Sequence, residues 1–355
     1  MINKNYFNPK EFFIKTFLEN KDNYPNVLYI HSPFCIKNCN YCRFRGKALK
    51  DVNKDIIDNY YEIDFKNQIN SFKEIFNNVS FSEIYFCGGT VDFSSSTKYL
   101  EKLISNIPDF EKIEKKSIEM HPQNFNDDYL NLFVKYKFNY VSVGIQSLKE
   151  ETLKLENRYF CSFEKLKEIV TKLNENNIYN NVDIIINLKN ENIDETFENC
   201  DKILRLIEPT SITIQPNKCY NYDGPEFMIF YQKIKELLEK NTDYCLISAN
   251  LNMQDFINDY NFFNDFGVEY RIVKKNKKNF YNYLFTKKAY NDFYNYNVLG
   301  IGYLPNINSN HAYSFSNGIY YDDSIKTLFT LPDRERIETI RAQEILLKNI
   351  SNDDI

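Results

Sequence analysis

The chain has 355 residues, 43% hydrophobic and 26% charged, a balance typical of one large globular domain or a domain with an appendage. The formal net charge of −5 provides no bulk attraction to nucleic acid, and no apolar run approaches the roughly 20 residues that a membrane span needs. The N-terminal residues contain no apolar signal segment. We therefore expect a cytoplasmic protein without nucleic-acid or membrane partners, whose eight cysteines stay reduced.

Short apolar runs alternate with amphipathic stretches through the first 216 residues. The predicted strands are Val27–His31, Glu83–Cys87, Ser117–Met120, Tyr140–Gly144, Val182–Asn187 and Ser211–Gln215. The predicted helices are Asp55–Phe76, Thr97–Asn106, Asp127–Tyr136, Phe163–Asn174 and Ile193–Ile207. This alternation predicts parallel strands joined by right-handed crossovers. Six such units favour an α/β fold, a partial (β/α)6 barrel similar to a TIM barrel.

The regular alternation ends near residue 216. Helical patterns return at Phe227–Glu239 and Arg334–Asn349, and the stretch Tyr244–Tyr321 predicts short strands and loops rich in aromatic residues. We expect residues 1–26 to form a lead-in and residues 27–216 to form the partial barrel. Residues 217–355 are expected to form an α+β extension packed against that barrel.

Three cysteines follow the first predicted strand in the sequence Cys35-Ile-Lys-Asn-Cys39-Asn-Tyr-Cys42. Thiolates this close converge on one ion or cluster, and three of them leave one coordination position open. Structural zinc usually takes four ligands, but a zinc site or a chance grouping of thiols stays an alternative. The Cys-x3-Cys-x2-Cys spacing resembles that of the radical S-adenosylmethionine (SAM) enzymes. In that family three cysteines hold a [4Fe–4S] cluster, whose fourth iron binds S-adenosylmethionine.

Polar residues and glycines stand at the carboxyl ends of the next predicted strands. A Gly-Gly-Thr turn follows the second strand, Glu119 ends the third and Gln146 follows the fourth. Asp183 lies within the fifth strand. Barrels of parallel strands build their active sites at the carboxyl ends of the strands. The joint placement therefore predicts an enzyme.

Longer motifs resemble one family within this superfamily. The stretches Tyr29-Ile-His-Ser-Pro-Phe-Cys35, Cys87-Gly-Gly-Thr90 and Val143-Gly-Ile-Gln-Ser147, with Arg158, are similar to those of the oxygen-independent coproporphyrinogen III oxidase family. That family includes related heme chaperones, anaerobic heme-opening enzymes and class C radical methylases. The likeness covers most of the predicted barrel and extends weakly into the tail at Val298-Leu-Gly-Ile-Gly302.

The resemblance implies a role for each matching position. Cys35, Cys39 and Cys42 would ligate the [4Fe–4S] cluster, and Tyr29 and Tyr41 would pack beside it and the bound nucleoside. The turn Gly88, Gly89 and Thr90 would let the backbone approach the methionine amino group, because glycine has no Cβ. The carboxylate, ribose and amino group of S-adenosylmethionine would be held by Glu119, Gln146, Arg158 and Asp183.

Departures from the family pattern bear on the reaction. The three-glycine turn of the family begins here with Cys87, and Val91 stands where proline is usual. The N-terminal extension of the oxidase has no recognisable counterpart in residues 1–26, which argues against coproporphyrinogen decarboxylation. The heme motif of the chaperone branch contains His and Trp. The corresponding stretch here, Ala289–Asn295, contains neither, which argues against heme holding.

The sequence thus predicts a radical SAM enzyme that reductively cleaves S-adenosylmethionine to a 5′-deoxyadenosyl radical. Its substrate would be an unidentified small molecule, porphyrin-like or aromatic, and its partner a one-electron donor such as flavodoxin or ferredoxin. Catalytic residues beyond the cofactor site are not assigned. Two alternatives stay open: a non-catalytic carrier of heme or another cofactor, and a degenerate barrel that serves as an interaction protein. The intact cysteine triad counts against the degenerate barrel.

Overall fold

The computed structural model describes residues 8–42, 44, 46–217, 224–251, 268–277, 297–304 and 314–330. The helices in these ranges are α1 (Pro9–Glu19), α2 (Lys54–Asn59), α3 (Phe65–Ser71), α4 (Lys73–Asn78), α5 (Lys98–Asn106), α6 (Asp127–Lys135), α7 (Glu150–Leu155), α8 (Phe163–Glu175), α9 (Ile193–Leu206) and α10 (Gly224–Lys240). The predicted C-terminal helix Arg334–Asn349 lies outside the described residues.

The strands confirm the predicted alternation. They are β1 (Asn26–Ser32), β2 (Phe34–Cys35), β3 (Lys47–Ala48), β4 (Glu83–Gly88), β5 (Lys115–Met120), β6 (Tyr140–Gln146), β7 (Tyr179–Ile186), β8 (Ser211–Pro216), β9 (Tyr244–Leu251), β10 (Val268–Lys274), β11 (Asn297–Ile301), β12 (Ser314–Ser316), β13 (Ile319–Asp322) and β14 (Thr327–Thr330). All six strands predicted for the barrel are present, with bounds shifted by a few residues. The chain is a mixed α/β protein with a parallel sheet.

The chain divides into two compact units, and the first comprises the described residues of Met1–Ile36, Phe44–Ser117 and Asp292–Glu335. In it β1 pairs in parallel with β4 on one side and with β11 on the other. β12, β13 and β14 then continue the sheet from β11 in antiparallel pairs. A strand far along the tail thus lies beside the first strand, a pairing that the alternation pattern did not predict.

The second unit comprises the described residues of Lys37–Arg43, Ile118–Asn291 and Arg336–Ile355. Here β6, β7 and β8 form a parallel sheet, and β10 and β9 extend it from β8 in antiparallel pairs. β5 begins in the first unit and ends in the second. The predicted division at residue 216 into barrel and extension stays a prediction, because these compact units interleave along the chain.

Local sequence signals explain most helix starts. Asn192 caps α9 by accepting from the Glu195 amide at 2.9 Å, and the Glu195 carboxylate accepts from the Asn192 amide at 3.0 Å. This reciprocal pair satisfies two amide donors that have no partner within the helix. α1 and α7 were not predicted from the sequence, although the Asn8 side chain caps α1 by accepting from the amides of Lys10 and Glu11.

The predicted single helix Asp55–Phe76 is wrong in its continuity. A π-helical turn, Tyr60–Asp64, separates α2 from α3, and Phe72 interrupts the path between α3 and α4. Tyr60 and Tyr61 are both buried and contact each other edge to face, with ring centroids 5.1 Å apart. These two buried side chains lie at the start of the π-helical turn, where the regular α-helical path is interrupted. In the stretches that the structure describes, no helix combines the length and apolarity needed to cross a bilayer.

Candidate functional site

The first cysteine of the motif ends a short strand in the first unit. Cys35 is buried, and its strand β2 pairs in parallel with β3. The Gly46 amide donates a hydrogen bond to Cys35 Sγ at 3.1 Å. A Cβ at Gly46 would overlap the Pro33 carbonyl oxygen and lie 2.7 Å from the Phe34 amide nitrogen. Glycine is therefore needed for this close approach, and the approach supplies a neutral donor to the thiol.

The other two cysteines lie in the second unit on a loop tied to the end of α7. The Cys42 amide donates to the Cys39 carbonyl at 3.2 Å, which closes a turn between the two thiols. Asn40, between them, donates from its backbone to the Glu156 carbonyl at 3.0 Å and from its side chain to the Leu155 carbonyl at 2.9 Å. These bonds fix the loop with respect to the residues that lead into Arg158.

Arg158 brings a cation to this loop. Its Nη1 donates to Cys39 Sγ at 3.6 Å, and its Nη2 donates to the Gly144 carbonyl. Its Nε is buried and makes no hydrogen bond. Burial opposes the charge, but Tyr41, Cys39 and Cys42 outweigh it, so the pKa of Arg158 lies above its ordinary value. Arg158 therefore places a permanent positive charge and an N–H donor at the sulfur of Cys39.

Tyr41 forms the apolar side of the same loop. Its ring packs with Phe160 against a buried cluster of Leu153, Ile185 and Leu188. Burial raises the pKa of Tyr41 well above its ordinary value, and the neighbouring Cys39 and Cys42 add to this effect against Arg158. The phenol is therefore neutral at physiological pH.

Gln146 ends β6 with a backbone φ of +70°, in the left-handed region that non-glycine residues rarely adopt. The pairing of β6 with β7 shifts register between Gly144 and Gln146. A Cβ at Gly144 would lie 2.8 Å from Gln146 Nε2 and 3.1 Å from Arg158 Nη2. Gly144 thus leaves room for two polar side chains that the sequence assigned to the cofactor site. Backbone strain of this kind persists where surrounding structure enforces it, often at functional sites.

Asp183 lies in β7 with both carboxylate oxygens hydrogen-bonded. Ser142 Oγ donates to Oδ2 at 2.6 Å, and Asn181 Nδ2 donates to Oδ1 at 2.7 Å. Glu119, also expected at the cofactor site, lies one residue before the end of β5, and its side chain is exposed. The second unit contains the predicted site residues Cys39, Tyr41, Cys42, Glu119, Gln146, Arg158 and Asp183.

The glycine turn and Tyr29 belong to the first unit, with Cys35. Gly88 ends β4 with φ +96°, and Gly89 follows it with its amide donating to the Ser32 carbonyl at 2.9 Å. A Cβ at Gly89 would lie 2.6 Å from that carbonyl oxygen, so glycine permits the contact. The Thr90 amide donates to the Phe34 carbonyl at 2.7 Å, which ties the turn to the residue before Cys35.

Tyr29 lies on β1 and is half-buried. Its hydroxyl is 3.1 Å from His31 Nδ1, and the two rings are tilted with centroids 6.0 Å apart. The side chain was expected beside the cluster and nucleoside. That role stays a prediction, whereas the contact with His31 is what the structure shows.

Sequence reasoning gave no role to His121, which follows β5. Its ring is buried and faces the ring edge of Tyr159 at 6.2 Å. Burial, and then the charges of Arg158 and Lys37, lower the pKa of His121 well below its ordinary value. The Lys37 ammonium, which lies between Cys35 and Cys39 in sequence, is 3.8 Å from the centre of the Tyr159 ring. A neutral imidazole therefore stands among the cations of the cysteine loop.

The donor set fits an iron–sulfur cluster in its chemistry. The thiols receive N–H donors from Gly46 and Arg158, and hydrogen bonds to sulfur are one means by which proteins adjust such clusters. Within the described part of the chain, no three His, Cys, Asp or Glu side chains are gathered in a geometry that would hold a metal ion.

Comparison with known proteins agrees with these features. The Radical SAM superfamily profile matches residues 29–203. The heme chaperone HemW of Haemophilus influenzae is 27% identical over 212 residues, which cover 57% of this chain and 55% of that protein. The coproporphyrinogen-III oxidase-like protein HemZ of Bacillus subtilis is 28% identical over 198 residues, which cover 53% of this chain and 38% of that protein. The match therefore spans about half of the first relative and less of the second.

Among solved structures, the Escherichia coli coproporphyrinogen III oxidase HemN superposes with a TM-score of 0.67 at 15% identity. The match covers 94% of this chain and 78% of that protein, and it shows that the two share a fold. The predicted fold class, a partial parallel barrel, is thereby confirmed. The profile match and the Cys-x3-Cys-x2-Cys motif within it show a radical SAM domain at residues 29–203 of this chain.

Proposed function

We propose that this chain is an enzyme that reductively cleaves S-adenosylmethionine at a [4Fe–4S] cluster ligated by Cys35, Cys39 and Cys42. The observation that carries the proposal is the contact of the Arg158 guanidinium with Cys39 Sγ at 3.6 Å, beside the neutral phenol of Tyr41. A buried cation is stabilised beside a thiol if that thiol is an anionic ligand. A cysteine that only filled the core would pack at lower cost against an apolar neighbour.

The sequence keeps the three proposed ligands close. Four peptide units separate Cys35 from Cys39, so their Cα atoms can be at most about 14 Å apart. Three peptide units separate Cys39 from Cys42, and the hydrogen bond between their backbones shortens this distance further.

Cys35, Cys39 and Cys42 would hold a cluster that, once reduced by an external one-electron donor, would supply the electron for cleavage of S-adenosylmethionine to methionine and a 5′-deoxyadenosyl radical, and that radical would take a hydrogen atom from a substrate. The chain would bind and orient the parts of S-adenosylmethionine. The guanidinium of Arg158 and the amide of Gln146 would hold the methionine carboxylate, and the turn from Gly88 to Thr90 would accept the amino group. Asp183 and Glu119 would receive the ribose and amino hydrogens. Tyr41 and Tyr29 would exclude water from the cluster and the nucleoside.

The substrate that we propose is a small molecule, porphyrin-like or aromatic, and the partner is a one-electron donor such as flavodoxin or ferredoxin. Support comes from two relatives, a heme chaperone and a coproporphyrinogen-III oxidase-like protein. The aromatic residues between 281 and 296 lie outside the described residues.

One observation favours a non-catalytic carrier instead. Curated relatives from several bacteria, including Haemophilus influenzae and Lactococcus lactis, are named heme chaperone HemW. Against this stands the sequence at 289–295, Ala-Tyr-Asn-Asp-Phe-Tyr-Asn, which has neither the His nor the Trp of the chaperone motif. Only His311 follows in the tail, and His is a common heme ligand. Both stretches lie outside the described residues.

The test is to reconstitute the protein anaerobically with iron and sulfide, reduce it with S-adenosylmethionine present, and search for 5′-deoxyadenosine by chromatography. A heme titration followed by Soret absorbance is run on the same preparation. We expect 5′-deoxyadenosine and weak or no heme binding. Tight one-to-one heme binding without 5′-deoxyadenosine, from protein with a full cluster, would reject the enzyme and support the carrier.

A further inference from the structure

A buried polar network crosses three neighbouring strands of the second unit at Asp183. Asn181 donates from Nδ2 to Ser142 Oγ at 2.9 Å and to Asp183 Oδ1 at 2.7 Å. Its Oδ1 accepts from Ser211 Oγ at 2.8 Å and from Thr213 Oγ1 at 3.0 Å. Ser142, Asn181, Ser211 and Thr213 are all buried.

Strand register explains why these side chains meet. Ser142 on β6 is paired with Asn181 on β7, and Asn181 is paired with Ser211 on β8. One step along the sheet, Asp183 is paired with Thr213. Alternate residues of a strand point to the same face, so the five polar side chains share one face. The intervening positions, such as Val182 and Ile212, are apolar and buried.

The donor and the acceptor of each hydrogen bond in the network can be assigned. Both N–H groups of Asn181 are used, and its oxygen accepts two hydroxyl donors, so its hydrogen-bonding capacity is filled. Ser142 accepts from Asn181 and therefore turns its own hydrogen to Asp183 Oδ2 at 2.6 Å. Each carboxylate oxygen of Asp183 receives one donor from this network. Asp183 is half-buried, so a ligand can reach its carboxylate.

We propose that Ser142 and Asn181 are positioning residues that hold Asp183 as a double acceptor for the vicinal hydroxyls of a ribose. This inference rests on the proposed function, which places a nucleoside at Asp183. Polar side chains in a sheet interior cost free energy compared with the Val and Ile of the other face, unless their hydrogen bonds are satisfied. Here they are satisfied in a pattern that ends at both oxygens of one carboxylate. The orientation of that carboxylate is what the network fixes.

The experiment measures binding to the reconstituted protein, by calorimetry, of S-adenosylmethionine and of its 2′-deoxy analogue. Wild-type protein should prefer the ribose form by about tenfold, the value of one hydrogen bond to a charged group. Ser142→Ala should weaken the binding of S-adenosylmethionine by about tenfold and leave the binding of the deoxy analogue little changed, which reduces the preference for ribose. Ser142→Thr keeps the hydroxyl and should retain most of that preference.

Ser211→Ala is the matched control, because Ser211 donates to Asn181 but makes no contact with Asp183 among the hydrogen bonds found here. It should leave the preference for ribose within about twofold of the wild-type value. A double-mutant cycle separates positioning from general damage. In the Asp183→Asn background, Ser142→Ala should cost almost nothing further, because the two residues act as a unit.

Equal preference in the wild type and in Ser142→Ala, with cluster and fold intact, would overturn the inference while the proposed function stands. Equal losses in Ser142→Ala and Ser211→Ala would do the same, by showing that any damage to the network suffices. Should the wild type bind no S-adenosylmethionine, the proposed function fails and this inference fails with it. Should Ser142→Ala not fold, Ser142→Val replaces it, because Val has the shape of Thr without the hydroxyl; an equal preference for ribose in Ser142→Val and Ser142→Thr would then overturn the inference.

Discussion

The two halves of the cysteine loop are held by different kinds of donor. Cys35, in the first unit, receives the backbone N–H of Gly46, eleven residues along the chain. Cys39, in the second unit, receives a guanidinium N–H from Arg158, which is 119 residues away. The first donor is neutral and belongs to the path of the backbone. The second is a cation that one substitution can remove. We therefore expect changes near Cys35 to act on folding and changes near Cys39 to act on charge.

The largest effect should come from the thiols themselves. Cys35→Ser and Cys39→Ser should each reduce the iron of the reconstituted protein from about four per chain to background, since two thiolates do not hold a [4Fe–4S] cluster. Iron analysis and visible absorbance measure this. Cys200→Ala is the control, because Cys200 is fully buried in α9 and lies outside the motif. Retention of a complete cluster in either Ser variant would show that the ligand assignment is wrong.

The next effect concerns glycine, and it contrasts the two halves directly. Gly46→Ala forces a Cβ into the Pro33 carbonyl, so we expect a loss of about 3 kcal/mol in the free energy of unfolding. Gly144→Ala meets only the ends of the Gln146 and Arg158 side chains, which can move, and should cost about 1 kcal/mol. Chemical denaturation of both variants gives the comparison. Equal losses in the two variants would show that the part of the loop around Cys35 does not depend more on backbone packing than the part around Cys39.

Removal of the cation should change the cluster's reduction potential. Arg158→Met takes a positive charge and an N–H donor from Cys39, so electron gain becomes less favourable and the midpoint potential should fall by about 50 mV. Arg158→Lys keeps the charge, so the midpoint potential should fall by less in this variant. A redox titration followed by electron paramagnetic resonance reads this without turnover. An unchanged potential in Arg158→Met would mean that the cation acts on S-adenosylmethionine alone.

The smallest effect is a pH dependence of stability at His121. The folded-state pKa of His121 lies below its ordinary value, because burial and the charges of Arg158 and Lys37 disfavour the imidazolium. As pH falls below about 6.5 the unfolded chain binds a proton that the folded chain does not, so this group lowers stability. Between pH 7 and pH 5, the free energy of unfolding of His121→Asn should fall by about 1 kcal/mol less than that of the wild type. Equal losses in both proteins would show that His121 does not contribute to the pH dependence of stability.

Much of the fold follows from pattern alone. The six strands of the predicted barrel could be found because buried parallel strands are continuous apolar runs, bounded by turns and amphipathic helices. The predicted helix Asp55–Phe76 failed in its continuity because a π turn depends on the neighbours that bury Tyr60 and Tyr61. β11 was not recognised as a partner of β1, since nothing in a five-residue strand states which distant strand it will join.

The sequence by itself determined the cysteine spacing, the glycine turn and the polar residues at strand ends, because these are properties of adjacent positions. Tertiary structure decided which partners those residues have. The Gly46 amide at Cys35, Arg158 at Cys39 and Ser142 at Asp183 depend on close approach between segments that the chain separates. The position of Asp183 within the fifth predicted strand was visible in advance, but the register of that strand with β6 and β8 was not. Hydrogen bonds act over about 3 Å, and only the packed fold brings distant segments to that distance.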